Sequence, residues 1–239
     1  MKYLRFIPTL LIAAVLFSGC AASQGASNSK APASAASKPS PKKKDDGPKK
    51  FSEVIKDDFV KDEGVFNIYR DSEKYYYEIP DAELGEEFLL VTRIAKTADN
   101  IGYGGQKANT QVVRWDRRGD KIDLKMVGYE NRGEEGDPIY HAVRNSNLEP
   151  IIKSFDIAAL NADTTGVVID ATSLFTSDVP ALGLQSGRRS QYQVRRVDAG
   201  RTYITSAKSF PTNIEVRHVL TYEANKAPSN ASSNSITVE

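Results

Sequence analysis

Two histidines, His141 and His218, and one cysteine, Cys20, are the only soft metal ligands in this 239-residue chain. A catalytic zinc site takes about three protein ligands from His, Cys, Asp or Glu and keeps one position open for water. The two histidines are far apart in sequence, and neither belongs to an H-E-x-x-H run, the spacing that sets two ligands and a general base on one helix face. A site built from both histidines and a carboxylate would need the fold to bring them together. His218 falls in an alternating apolar run and reads instead as a hydrogen-bonded core residue. No serine stands in a G-x-S-x-G elbow, so the Ser, His and Asp residues present carry no triad signal. Glu134, Glu135 and Asp137 lie in a stretch punctuated by Gly and Pro. Such a group suits an acid pair or a calcium site, and equally a solvated loop, which is the simpler reading. Gly102-Tyr103-Gly104-Gly105-Gln106-Lys107 lacks the Gly-Lys-Ser/Thr ending of a phosphate loop. It reads as a turn where two backbones approach closely, or as a mobile binding loop. These residues assign no catalytic role, no metal and no cofactor to the chain.

Cys20 has a different chemistry. Lys2 and Arg5 precede an apolar run from Phe6 to Phe17, and Phe17-Ser18-Gly19-Cys20 closes it. A basic start, a short apolar stretch and small residues before a cut form an export signal, and the run is too short to span a bilayer. The ending is similar to bacterial lipoprotein signals, with Phe17 where Leu is usual. That resemblance implies cleavage before Cys20, lipid on Cys20, and an anchor in the cell envelope. Ala21, with no Asp at the next position, resembles Gram-negative lipoproteins sent to the outer membrane, which implies that location. An ordinary signal would leave Cys20 as a free thiol in an oxidising compartment. With one cysteine there is no internal disulfide, and folding rests on a hydrophobic core.

The elements follow from composition. Residues 1–19 are the signal peptide. Residues 20–50, rich in Ala, Ser, Pro and Lys, cannot bury enough surface to offset their ordering entropy and form a tether with a reach of about 30 Å. Seven lysines and two aspartates give the stretch after Cys20 a charge of +5, so that with +2 in the signal and +1 overall the remainder from Phe51 carries −6. Lys42-Lys43-Lys44 suits contact with anionic lipid or a solvated spacer. An acidic exported body excludes a nucleic-acid partner.

From Phe51 to about Ala224 the pattern is that of a β-rich α+β fold, mainly antiparallel hairpins and sheet with a few short helices. Strands are predicted at Val65–Arg70 and Lys74–Ile79 around an Asp71-Ser72-Glu73 turn, with Pro80 as the stop. Asp81–Glu86 reads as one helical turn with Asp81 as N-cap. Glu87–Ala95 is apolar enough for a central strand. Thr110–Arg117 and Lys121–Tyr129 form a hairpin around Arg118-Gly119-Asp120, and Ser154–Leu160 pairs with Val167–Asp170. Arg201–Ser206 and Asn213–Tyr222 close the body, with Ile214, Val216, His218, Leu220 and Tyr222 on one face. The Asn- and Ser-rich tail, residues 225–239, reads as a linker without a closing strand, whose following domain is missing.

One stretch, YHAVRNSNLEPIIKSFDI from Tyr140 to Ile157, is distinctive. Together with DEGVFNIYR (Asp62–Arg70), KYYYEIPDAELGEEFLLVTRIAK (Lys74–Lys96), GYGGQ (Gly102–Gln106), GVVID (Gly166–Asp170) and FPTNIEVRHVLTY (Phe210–Tyr222), it resembles the N-terminal region of large exported bacterial zinc-dependent metalloproteases. The resemblance implies a small N-terminal domain over 51–98, a β-rich domain over 99–224, with the boundary near Thr97–Tyr103, and a catalytic H-E-x-x-H domain absent from this chain. Zinc is then expected only in that missing domain, and the chain itself is expected not to be an enzyme. Arg144, Asn145 and Asn147 are the candidate docking or binding residues: the segment is either a docking surface for the catalytic domain or for peptide, or a structural turn joining strands. Two functions from different classes follow: the non-catalytic front of a lipid-anchored metalloprotease-like protein, or a free-standing surface lipoprotein that binds peptide or glycan. A hydrolase with an unrecognised site is a third.

Overall fold

The computed structural model describes residues 47–130, 133–228 and 234–239. The expected signal peptide, Cys20 and most of the tether lie outside the described residues. The last tether residues already belong to the body, because the Lys49 amide donates to the Ala158 carbonyl at 3.0 Å.

Eight strands form one antiparallel sheet: β1 (Val60–Asp62), β2 (Asn67–Arg70), β3 (Tyr75–Pro80), β4 (Glu87–Ile94), β5 (Gln106–Arg118), β6 (Lys121–Val127), β7 (Ile151–Leu160) and β8 (Gly166–Asp170). Their order is β1-β2-β3-β8-β7-β6-β5-β4. The local causes are those expected of hairpins. Between β2 and β3, Asp71 Oδ1 accepts from the amides of Glu73 (2.8 Å) and Lys74 (2.7 Å), which closes the turn. These bonds hold the Asp71 carboxyl below its usual range. Between β5 and β6, Gly119 takes φ +63°, a conformation that costs glycine nothing. Pro80 ends β3 and leads into a 3₁₀ turn, Asp81–Glu83. Pro80, not Asp81, holds the N-cap position, and Asp81 is the first residue of the turn.

A smaller sheet contains β9 (Val194–Val197), β10 (Tyr203–Ser209), β11 (Ile214–Ala224) and β12 (Ser235–Val238). β10 and β12 flank β11 on opposite edges, and β9 pairs with the end of β11. Four short helices, α1 (Phe51–Val54), α2 (Tyr140–Ser146), α3 (Thr172–Thr176) and α4 (Ser186–Tyr192), and a second 3₁₀ turn, Ala199–Arg201, complete the described elements.

One face of the large sheet carries Ile68, Tyr77, Ile79, Trp115, Ile122, Leu124, Phe155 and Ile169, packed against Leu174 and Phe175 of α3 and against partly buried Ile214 and Val216 of β11. Full burial of each such side chain is worth roughly 1.5–3 kcal/mol. The opposite face is covered near Tyr69 and Val168 by α1, through Phe51 and Val54. A second core joins Ile94, Ile101, Leu184, Leu220, Tyr222, Ile236 and Val238.

Two expectations are corrected. The tail over 225–239 is not a linker throughout: Ser235–Val238 is a closing strand, with Ile236 fully buried and Val238 opposite Leu220. A four-residue strand contributes two inward side chains, too few to stand out from the surrounding Asn and Ser. β4 is not a central strand either. It ends the strand order of the large sheet, and its residues alternate between inward and exposed. Strands on both sides of residue 98 share this sheet, β4 pairing with β5 from Glu87–Arg114 to Ile94–Gln106, and residues 47 onward belong to one compact unit.

Candidate functional site: an apolar groove between two sheet edges

The residues singled out in the sequence do not converge. Arg144 and Asn145 stand on α2, and Asn147 caps its end, with Nδ2 donating to the Val143 carbonyl at 2.9 Å. The segment is a short exposed helix with no buried residue, rather than a strand-joining turn packed among apolar side chains. His141 is exposed on that helix, while His218 lies on β11 with Nδ1–H donating to the Phe175 carbonyl at 2.8 Å. Burial pushes the His218 imidazole below its ordinary pKa, so it is neutral at pH 7. Glu134 and Asp137 bond to each other's backbone in an exposed turn, at 3.0 and 3.1 Å. Among the described residues no group of three or more His, Cys, Asp or Glu could hold a metal ion. Cys20 lies outside the described residues.

The glycine run is a close approach of backbones. A Cβ on Gly104 would stand 2.0 Å from the Ala95 carbonyl oxygen, and the Gly105 amide donates to the Ile94 carbonyl at 2.7 Å. Arg188 of α4 braces the loop through the Ile101 carbonyl at 2.6 Å and through Gln106. This run positions the end of β4.

β4 borders a groove of about 450 Å³, in the usual range for ligand sites. Every residue from Phe88 to Arg93 lines it, as happens when a strand presents its backbone edge. The facing wall is the start of β11, with Ile214, Val216, Arg217 and His218, and Glu239 closes one end. Trp115, Tyr77, Phe66, Leu124, Leu174 and Phe175 form the apolar floor.

Among the described residues, both walls are unpartnered strand edges. β5 takes one edge of β4, and among the described residues no strand takes the other edge along 88–93. β10 takes one edge of β11 along 214–219, whereas β12 covers the opposite edge only along 220–223. Outward on β4, Leu89 is 66% and Val91 45% exposed. In the floor, the Tyr77 hydroxyl is buried without a hydrogen-bond partner, and burial raises its pKa so that it stays a donor. Arg93 and Arg217 are exposed at the rim, and Thr92 is held inward by a 3.2 Å bond from its hydroxyl to the Ala181 carbonyl. An open strand edge is a template for another strand, and one bounded by two such edges over an apolar floor accommodates an extended polypeptide.

Sequence reasoning missed this groove. Its one signal is that Glu87–Ala95 is apolar on both of its alternating faces, which suggested a central strand.

Two family models match the chain: Domain of unknown function (DUF5118) over residues 48–97 and Domain of unknown function (DUF5117) over residues 105–239. No curated protein and no solved structure matches. The second model spans more than half of the sequence, and the chain belongs to the DUF5117 family.

Proposed function

We propose that this chain is a non-catalytic polypeptide-docking module of an exported lipoprotein, which takes an extended segment into the groove between β4 and β11. The observation that carries the reading is the pair of facing edges, 88–93 and 214–218, that no described strand takes, over one apolar floor. Strand addition at two edges supplies main-chain hydrogen bonds on both sides, and the floor supplies pockets for alternate side chains. The resemblance to the front of zinc metalloproteases supplies a setting: the module presents polypeptide to, or shields, a catalytic domain that carries the zinc. Lipid on Cys20 would hold it at the bacterial outer membrane, with residues 21–46 as spacer.

Trp115 lines the groove and is the single tryptophan of the chain, so its emission reports occupancy. Titration of the full chain with tryptophan-free synthetic decapeptides rich in alternating valine should give a saturable emission change. No change with any such peptide, at concentrations up to the millimolar range, would overturn the reading.

A second reading concerns α2. Ile139 is 58% and Leu148 92% exposed beside Arg144, Asn145 and Asn147. Exposed apolar residues flanked by polar ones suit a contact with the catalytic domain of a metalloprotease. If so, Leu148→Glu should abolish co-purification with such a domain expressed separately; undiminished co-purification would contradict it.

A further inference from the structure

The outward row of β4 is its own complement. Independently of the docking reading above, we propose that the chain forms a two-fold symmetric dimer through the outer face of β4 and β5, the side of the large sheet away from the apolar floor.

Burial alternates along β4 from Glu87 to Arg93. Phe88, Leu90 and Thr92 turn inward, so Glu87, Leu89, Val91 and Arg93 share the outward face. The order along that face is acid, apolar, apolar, base. Leu89 is 66% and Val91 45% exposed. Across the sheet the apolar row continues, since Leu89 lies opposite Val112 and Val112 opposite Val127. Tyr129, 44% exposed, reaches back along this side, its hydroxyl donating to Glu87. Further along the same face of the sheet, α1 covers Tyr69 and Val168. At Leu89 and Val91 no element among the described residues does so. A contiguous exposed apolar patch rimmed by charge marks a protein contact.

The charge order says which protein. A two-fold axis lying between two such faces, at right angles to β4 and level with Leu90, turns β4 antiparallel onto its own copy. Glu87 of one copy then meets Arg93 of the other, Leu89 meets Val91, and symmetry repeats both contacts. Sheets stacked face to face lie about 10 Å apart, a gap that apolar side chains from the two sides fill. Charges beyond β4 keep the same sense. At the Glu87 end, Arg114 and Lys125 are held by Asp116 and Glu149, and exposed Glu86 and Glu87 add negative charge. At the other end, exposed Arg93 stands opposite exposed Lys107. A negative end thus meets a positive end twice, whereas a rim of one sign would repel its own copy.

The test measures self-association of the full chain by sedimentation equilibrium, with circular dichroism to check folding. The unaltered chain should be a dimer. Leu89→Arg, which sets a charge at the centre of the apolar row on an exposed site, should be folded and monomeric. Glu87→Arg and Arg93→Glu each set like charges in both symmetric contacts. Each should weaken the dimer by at least about 2- to 30-fold, the range for loss of two surface charge pairs. Mixed together, these two variants regain opposite charges in both contacts, and a heterodimer of near-original affinity should form. The double variant Glu87→Arg/Arg93→Glu should regain the homodimer. An unaltered chain that stays monomeric up to the millimolar range would overturn the proposal. So would a dimer that Leu89→Arg leaves intact, or single variants that mixing does not rescue. A dimer dispersed by Leu148→Glu but not by Leu89→Arg would move the contact to α2 and overturn it as well. None of these results bears on the groove, whose occupancy is read separately by Trp115 emission.

Discussion

Replacing Ile236 by alanine tests whether the closing strand is part of the fold in solution. Ile236 is fully buried on β12, in the cluster that holds Leu220, Tyr222 and Leu184. Truncation of a buried Ile to Ala costs about 2–5 kcal/mol, because the lost transfer energy is joined by a cavity that its neighbours fill only in part. Against a total stability of about 5–15 kcal/mol, that is a large fraction. The assay is urea unfolding followed by Trp115 emission. With a slope of about 2 kcal/mol/M, the midpoint should fall by about 1–2.5 M while the slope stays constant. Lys226→Ala, at an exposed position, is the control and should shift stability by no more than about 0.5 kcal/mol. A loss below about 1 kcal/mol for Ile236→Ala would mean that β12 does not pack on β11, and the end of the groove at Glu239 would lose its basis.

Three further outcomes are expected. Asp123, on β6, is buried and accepts from Arg118 Nε at 2.6 Å and Ser154 Oγ at 2.5 Å, which holds its carboxyl below the usual range. A depressed folded pKa contributes stability above the unfolded value of about 3.9 and loses it as pH falls through the folded value. Asp123→Asn should therefore cost about 1–3 kcal/mol at pH 7, with the lower end favoured because Arg118 is more than half exposed, and the cost should shrink below about pH 4 in urea titrations at each pH. Gly104→Ala, whose Cβ meets the Ala95 carbonyl, should destabilise by about 1–3 kcal/mol, whereas Gly187→Ala, which meets nothing on α4, should stabilise by about 0.5–1 kcal/mol; thermal melts of both variants give the two signs. Cys20→Ser should abolish incorporation of radioactive palmitate in a bacterial host, and unchanged labelling would refute the anchor.

What the sequence made legible was local. The hairpins β2–β3 and β5–β6 were readable because alternation and turn chemistry act over a few residues, through Asp71 in one case and Gly119 in the other. The close approach at Gly104 was readable for the same reason. His218 was read correctly as hydrogen-bonded, but it is half-buried in the inward row of Val216 and Leu220 and lines the groove rather than the core. The groove was not readable, because its walls come from segments more than a hundred residues apart and no local pattern states which strand edge stays open. β12 was hidden by its brevity. Arg144, Asn145 and Asn147 were noticed for polarity within an apolar context, yet α2 exposes all three, so composition could not separate a packed turn from a surface helix.

Amide hydrogen exchange of the full chain, with and without a tryptophan-free decapeptide rich in alternating valine, tests the docking of a strand most directly. Insertion between the edges predicts added protection in residues 88–93 and 214–218 together, with β10 and α2 unchanged. Protection confined to one edge, or appearing around Tyr140–Leu148 instead, would contradict it.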